Sequence, residues 1–361
     1  MGGRLSRTQL VAAICLLTSI ADAQAPSGVD LAEHGHWKRL KAVIEPRVAA
    51  NPNDAQAQWL LSRVRSAYKD QNGALAPAEK AAALDPRNAD YRWQVASVVG
   101  DQASSASMFK AMGLAKRFRQ EAESALALNP SHIPSLTGLM EFYNQAPGIA
   151  GGDKKKAEEL ANQILVINKV DGCIAKIRLL GQQSPPPLDQ IEALWVQAAQ
   201  TDPARVEPHV NLANVYAGGR TPRYELAEKE ALTAKTIDSD RVAVYSILAS
   251  VYAAQERWAD LDGVLNEAER KIPDNLSPYL RVAGTLQNLG KDLPRAERYA
   301  RKYLTQEPEP TASSHALAHW RLGLVLEKEG RKADAVAELE MATKLDPKFE
   351  PAQKDLKRLR G

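Results

Sequence analysis

Aromatic side chains are scarce in this 361-residue chain, at 6% of the total. Much Ala with 25% charged residues favours Ala-rich helices packed at short distance over a core of large rings. Cysteine is nearly missing too. Of the two present, Cys15 lies in the amino-terminal apolar run and Cys173 in the body, so no disulfide is expected after that run is removed. Stability must then come from helix packing alone. No strong charge of one sign is present either. A formal net charge of +3 is too small for the concentrated basic footprint that nucleic-acid binding calls for, so no nucleic-acid partner is expected.

A long membrane-spanning run is also wanting. The apolar stretch at residues 10–20 is about half the roughly 20 residues a spanning helix needs. Arg4 and Arg7 precede it, and Ala21-Asp22-Ala23 supplies small residues after it. That is the layout of a cleavable secretory signal peptide over residues 1–23, cut after Ala23, and it predicts a periplasmic or secreted protein. Arg4-Leu5-Ser6-Arg7 is not a twin-arginine pair, and Ile14 before Cys15 argues against a lipid-attachment site.

What the chain has in abundance is repetition. In residues 315–349, Leu322-Gly323 is followed by Ala335, Leu339, Ala342 and Pro347. Small and large apolar residues at those offsets describe two antiparallel helices meeting on one seam. Gly323, Ala335 and Ala342 allow close approach, Leu322, Leu326 and Leu339 fill the space, and Pro347 stops the second helix. This pattern, at a period of 34 residues, resembles the tetratricopeptide repeat family. The resemblance implies an all-α fold, a right-handed superhelical solenoid of stacked helix hairpins. One hairpin cannot bury its face alone, so copies must stack.

About nine copies are readable. A partial first helical unit occupies residues 24–54, with Pro46 inside it and Asn51-Pro52 at its end. Residues 55–169 hold further units, closed by Asp85-Pro86 and Asn129-Pro130. One of these is about eight residues too long, and another has a wide loop from Pro147 to Asp153. Residues 170–203 are the least regular, read as a short helix, a break at Ser184-Pro185-Pro186-Pro187 and a second helix. The frame returns over residues 204–349, and residues 350–361 form a polar capping helix, as solenoid ends require.

Catalytic and cofactor signatures fail position by position, so no enzyme activity, cofactor or metal is expected. HExxH and CxxC are absent, and His34-Gly35-His36, the nearest metal-like pair, reads as two solvated histidines. The Gly-rich run from Pro147 to Lys154 has Asp153 where a phosphate loop needs Gly, and no strand precedes it. It reads as a wide turn whose Asp153 caps the next helix. Cys173 reads as a small buried residue.

Binding is the function left. The resemblance implies a protein or peptide partner held on the inner groove by first-helix residues: Trp59 and Arg63, Trp93 and Ser97, Asn214, Ser250 and Trp320. Tryptophan and arginine are common anchors in such contacts, although a one-residue shift of frame turns these Trp into packing residues. In some family members an Asn ladder holds a peptide backbone; here Asn211 and Asn214 form one rung, with Ile247 and Ser250 next along. A second reading is a small-molecule-binding or transport accessory protein of the cell envelope, its pocket walled by the 147–153 turn and the irregular unit. Mass spectrometry of the protein recovered from its producing cells is expected to find Gln24 as the first residue; an intact Met1 would contradict export by a cleaved signal.

Overall fold

The computed structural model describes residues 27–219 and 221–361, so the signal-peptide reading and Cys15 lie outside the described residues. Every regular element there is helical: α1 (Gly28–His34), α2 (Trp37–Ala50), α3 (Ala55–Ala67), α4 (Gln71–Leu84), α5 (Ala89–Ser104), α6 (Met108–Leu128) and α7 (Ile133–Gln145). A single 3₁₀ turn at Gly148–Ala150 precedes α8 (Lys154–Ile167), α9 (Lys169–Gly181), α10 (Leu188–Thr201), α11 (Val206–Ala217) and α12 (Tyr224–Ile237). Then come α13 (Val242–Ala254), α14 (Trp258–Lys271), α15 (Ser277–Leu289), α16 (Leu293–Tyr303), α17 (His315–Lys328), α18 (Lys332–Leu345) and α19 (Glu350–Arg360). Consecutive helices pair as hairpins from α1–α2 to α17–α18, and α19 covers the end. No described helix is long and apolar enough to cross a membrane.

Most hairpins are zipped by small residues; in α2 and α14 the buried positions are mainly Leu, Ile and Val. Ala227, Ala231 and Ala234 of α12 are fully buried, as are Ala335 and Ala342 of α18. At Gly323 an added Cβ would fall 3.0 Å from Leu339 and 3.2 Å from the Ala335 carbonyl, so α17 and α18 meet almost backbone to backbone. First helices of neighbouring hairpins also touch one another along most of the chain, whereas second helices do so marginally at most. The stack therefore curves with its first helices on the inside.

The turn between hairpins is a repeated device. Asn51, Asp85, Asn129, Asp202 and Asp346 each end a second helix and precede proline, and each side chain accepts the backbone N–H two residues on, at 3.0 to 3.3 Å. Such Asx turns fix the reversal locally while the proline prevents the helix from continuing. Gln58 and His209, six residues beyond Pro52 and Pro203, reach back to those carbonyls at 2.8 and 3.1 Å and satisfy a group the turn would otherwise bury unpaired.

Three departures from the regular frame matter. The over-long unit is built from α5 and α6 of 16 and 21 residues, so both helices are extended. The stretch read as a short helix through Ile177 is a full 13-residue helix, α9, because Asn168 caps it by accepting from Val170 and Asp171. Finally, the histidine pair is not solvated. His36 is 1% exposed because the first hairpin folds against turns of much later ones. His34 Nε2 lies 3.3 Å from Asp238 and His36 Nε2 2.9 Å from Asp240. Lys38 Nζ donates to the Asp274 and Glu307 carbonyls at 2.7 Å each, and Arg39 pairs with Asp274. The solenoid thus curls until its beginning is clasped to its later half.

Replacing Gly323 with Val is expected to cost about 1–3 kcal/mol through overpacking at the seam, read by urea denaturation. An unchanged midpoint would show that the helices do not meet as closely as described.

Candidate functional site on the inner face

First helices α5, α7 and α9 form the floor of a cavity of about 950 Å³ on the inner face. The extra amino-terminal turns of α6 overhang it on one side, with Met108 and Met112 in the wall. Phe109 beside them is 91% exposed. The opposite wall is the wide turn after α7, through Pro147, Ile149 and Ala150. Asp153 caps α8 at 3.1 Å from the Lys156 N–H and so ends that turn. The 3₁₀ turn closes on Gly151 at φ +96°, where a side chain would be strained. At the bottom, Trp93 meets Phe118 edge-on at 6.2 Å, and Phe118 meets Phe142 at 5.7 Å. Gly138 makes room for this, since a Cβ there would lie 2.1 Å from the Trp93 ring. The rim is charged but paired: Arg178 with Glu141 at 2.5 Å, Arg205 with Asp171 at 2.6 Å. Apolar walls with a polar rim are the usual make-up of a binding cavity.

Two of the residues singled out in the sequence, Trp93 and Ser97, line this cavity. The others are dispersed. Trp59 and Arg63 sit on α3 as a stack: the Arg63 guanidinium lies 4.9 Å from the Trp59 ring and 6.0 Å from Trp37, and Trp59 packs on Tyr91 at 5.8 Å. Burial holds the Arg63 guanidinium below its ordinary range. Asn211 and Asn214 donate their side-chain amides to carbonyls of their own helix, Glu207 and Val210, at 2.8 and 3.1 Å. Their N–H groups are therefore taken up locally rather than aimed outward. Trp320 is engaged with the capping helix, its Nε1 donating to Asp355 at 2.9 Å and its ring 5.7 Å from Phe349.

A second inner-face feature lies in the later half. Asn214 of α11 accepts from Arg281 of α15 at 3.2 Å, two hairpins away, a reach that only the curvature of the inner wall allows. Ser250 and Thr285 join their hydroxyls at 2.7 Å beside it. Arg281 and Arg321 have no carboxylate partner among the described residues. The surrounding wall depresses the affinity of both guanidiniums for their protons, and the charge of Arg281 lowers Arg321 further. Arg321 also lies over Gly284, where a Cβ would fall 2.4 Å from its guanidinium. Two neighbouring unpaired cations on a concave wall make a site for an anionic group. Arg281 and Arg321 stand where the repeat frame has Asn211 and Ile247, so the available signal was a polar residue at three of four equivalent positions, interrupted by the buried Ile247.

No family model matches the sequence, and none of the curated proteins compared with it matches either. Solved structures do. Yeast Tom70 is similar over 92% of this chain and 80% of its own, at 14% identity and a TM-score of 0.51. A tetratricopeptide repeat protein of Parabacteroides merdae is similar over 85% of this chain and 99% of its own, at 14% identity and a TM-score of 0.44. TTC0263, a TPR protein of Thermus thermophilus, is similar over 52% of this chain and 94% of its own, at 21% identity and a TM-score of 0.45. The chain has the tetratricopeptide-repeat fold. Within this fold the extended α5–α6 hairpin and the 147–153 turn are the additions, and the cavity lies between them.

Removing one of two facing like charges relieves a cost that the fold carries. Arg321→Met is therefore expected to leave the thermal midpoint unchanged, or to raise stability by up to about 1 kcal/mol at low salt. A clear fall in the midpoint would show that this guanidinium holds the fold together and is not held ready for a ligand.

Proposed function

We propose that this protein is an exported, non-enzymatic scaffold that holds a peptide or helical segment of a protein partner on its concave face. The observation that carries the reading is the apolar cavity beneath the α6 overhang, which opens on the same inner face as the unpaired Arg281 and Arg321. An aromatic or long aliphatic side chain of the partner would enter between Trp93, Phe118 and Phe142. An acidic side chain or a carboxyl terminus would meet the two arginines. Fully desolvated anchors of this kind carry most of the energy of such contacts. The exposed Met108 and Met112 suit an adaptable wall, since unbranched thioether side chains repack around varied shapes.

A displayed peptide library panned against the purified chain is expected to yield sequences that carry both a large apolar residue and an acidic one. Met112→Asp and Arg321→Met should each weaken the selected peptide tenfold or more with the helical circular dichroism unchanged. Peptides that bind both variants as well as the parent would refute the assignment, as would a library that yields none.

The cavity volume favours one other reading, a small-molecule accessory protein, because about 950 Å³ falls at the upper end of ordinary ligand pockets. The 147–153 turn walls that cavity, and the irregular unit lines it through Ile174, Ala175 and Arg178 of α9, whereas its proline run at 184–187 takes no part. Stabilisation by a metabolite or lipid in a thermal-shift screen, lost in Met112→Asp, would move the conclusion to that reading.

A further inference from the structure

The clasp between the first hairpin and the later turns contains a cluster that the inner face does not use. His36 immediately precedes α2, Asp274 stands in the turn between α14 and α15, and Glu309 lies in the loop between α16 and α17. His36 and Glu309 are each 1% exposed, and the Asp274 side chain 20%. One donor atom from each of the three lies within 4.8 Å of the other two.

Each residue has one polar atom engaged and one left over. His36 Nε2 lies 2.9 Å from Asp240 Oδ2, which leaves Nδ1. Asp274 Oδ1 accepts from Arg39, which leaves Oδ2. Glu309 Oε2 accepts the backbone N–H of Lys38 at 3.1 Å, which leaves Oε1. All three leftover atoms are buried with no hydrogen-bond partner. A buried polar atom without a partner is costly and a buried carboxylate more so, yet each of the three residues that meet here from separate segments carries one.

We propose that His36, Asp274 and Glu309 form a divalent-cation site of the zinc type, closing the solenoid between its first hairpin and its seventh and eighth. A cation supplies what the cluster lacks: it accepts three lone pairs at once and offsets two carboxylate charges. Asp240 completes the arrangement. A histidine that ligates a metal regularly gives its other ring N–H to a carboxylate, which fixes the tautomer and turns the free nitrogen toward the ion. One imidazole and two carboxylates suit Zn²⁺, with three protein ligands and water in the fourth position. Ca²⁺ would need six to eight oxygens. An ion centred in a triangle with sides of 4.8 Å lies at most roughly 2.8 Å from each corner, so side-chain shifts under an ångström reach the zinc distances of about 2.0–2.2 Å. Lys38 Nζ does not compete, being committed to the Asp274 and Glu307 carbonyls.

The test uses the full chain without a histidine tag, stripped with chelator, dialysed, and titrated with Zn²⁺. Elemental analysis after gel filtration is expected to give one zinc per chain, and Co²⁺ in its place should show visible d–d absorption. Zinc should raise the thermal midpoint of the parent and not of Glu309→Gln or Asp274→Asn, near-isosteric changes that should bind at least tenfold more weakly. His36→Gln should do the same; should it fail to fold, the two carboxylate variants decide. A parent chain that takes up no stoichiometric zinc would overturn the site, the cluster then being held by a proton shared between Asp274 and Glu309. Folded Glu309→Gln and Asp274→Asn that both bind zinc as tightly as the parent would overturn it as well.

Discussion

The structure depends on how closely two helices approach when the residues between them are alanine and glycine. With buried Ala at successive turns of most second helices (α2 and α14 excepted), little side-chain volume separates the paired backbones. First helices contact both their own partners and the first helices of adjacent hairpins, and second helices lack the latter contact. This asymmetry, repeated hairpin after hairpin, gives curvature its direction. It also gives the molecule two faces of different character, an outer one of second helices and an inner one on which first-helix side chains from separate hairpins converge.

Convergence explains why the notable polar contacts are long-range. The Arg281–Asn214 hydrogen bond spans 67 positions and the His36–Asp240 contact 204. Neither is possible in a straight stack. The clasp of the first hairpin on later turns is the end point of the same curvature, and it adds contacts that a linear array of neighbours lacks. The cavity has another origin. It lies where the regular frame was broken by lengthening α5 and α6 and widening the turn after α7, so that an added wall stands over a floor of ordinary first helices. Departures from the repeat, rather than the repeat itself, create the concave volume.

That division also governs how much the sequence made legible. Hairpin seams were readable because they depend on local spacing: Gly323, Ala335, Leu339 and Ala342 lie within twenty residues of one another. The Asx-proline turns were readable for the same reason. Trp93 and Ser97 line the cavity because an inward-facing position on a first helix stays inward whatever lies opposite. Trp320 was readable as a first-helix residue, but α19 engages it, and a position in the frame does not reveal what covers it. Asn211 and Asn214 looked like a peptide-holding rung, yet an amide on a helix can satisfy itself on the carbonyl four residues back. The fate of His36 was beyond local reasoning altogether. A histidine pair at a helix start looks solvated until Asp240, Asp274 and Glu309 arrive from far along the chain, and no period of the sequence announces that they will.

Whether the stack closes on itself in solution is the question on which the inner face and the clasp both rest. Spin labels at exposed positions 42 and 271, one helical turn from Arg39 and three residues before Asp274, report it directly by electron–electron double resonance; Cys173 is buried, and burial raises its thiol pKa, so labelling would be confined to the introduced cysteines. The curled structure predicts a narrow distance distribution below about 30 Å, given a rise of about 1.5 Å per helical residue and two label arms. A distribution centred near about 60 Å, as an uncurled stack would give at roughly 10 Å per hairpin, would contradict it.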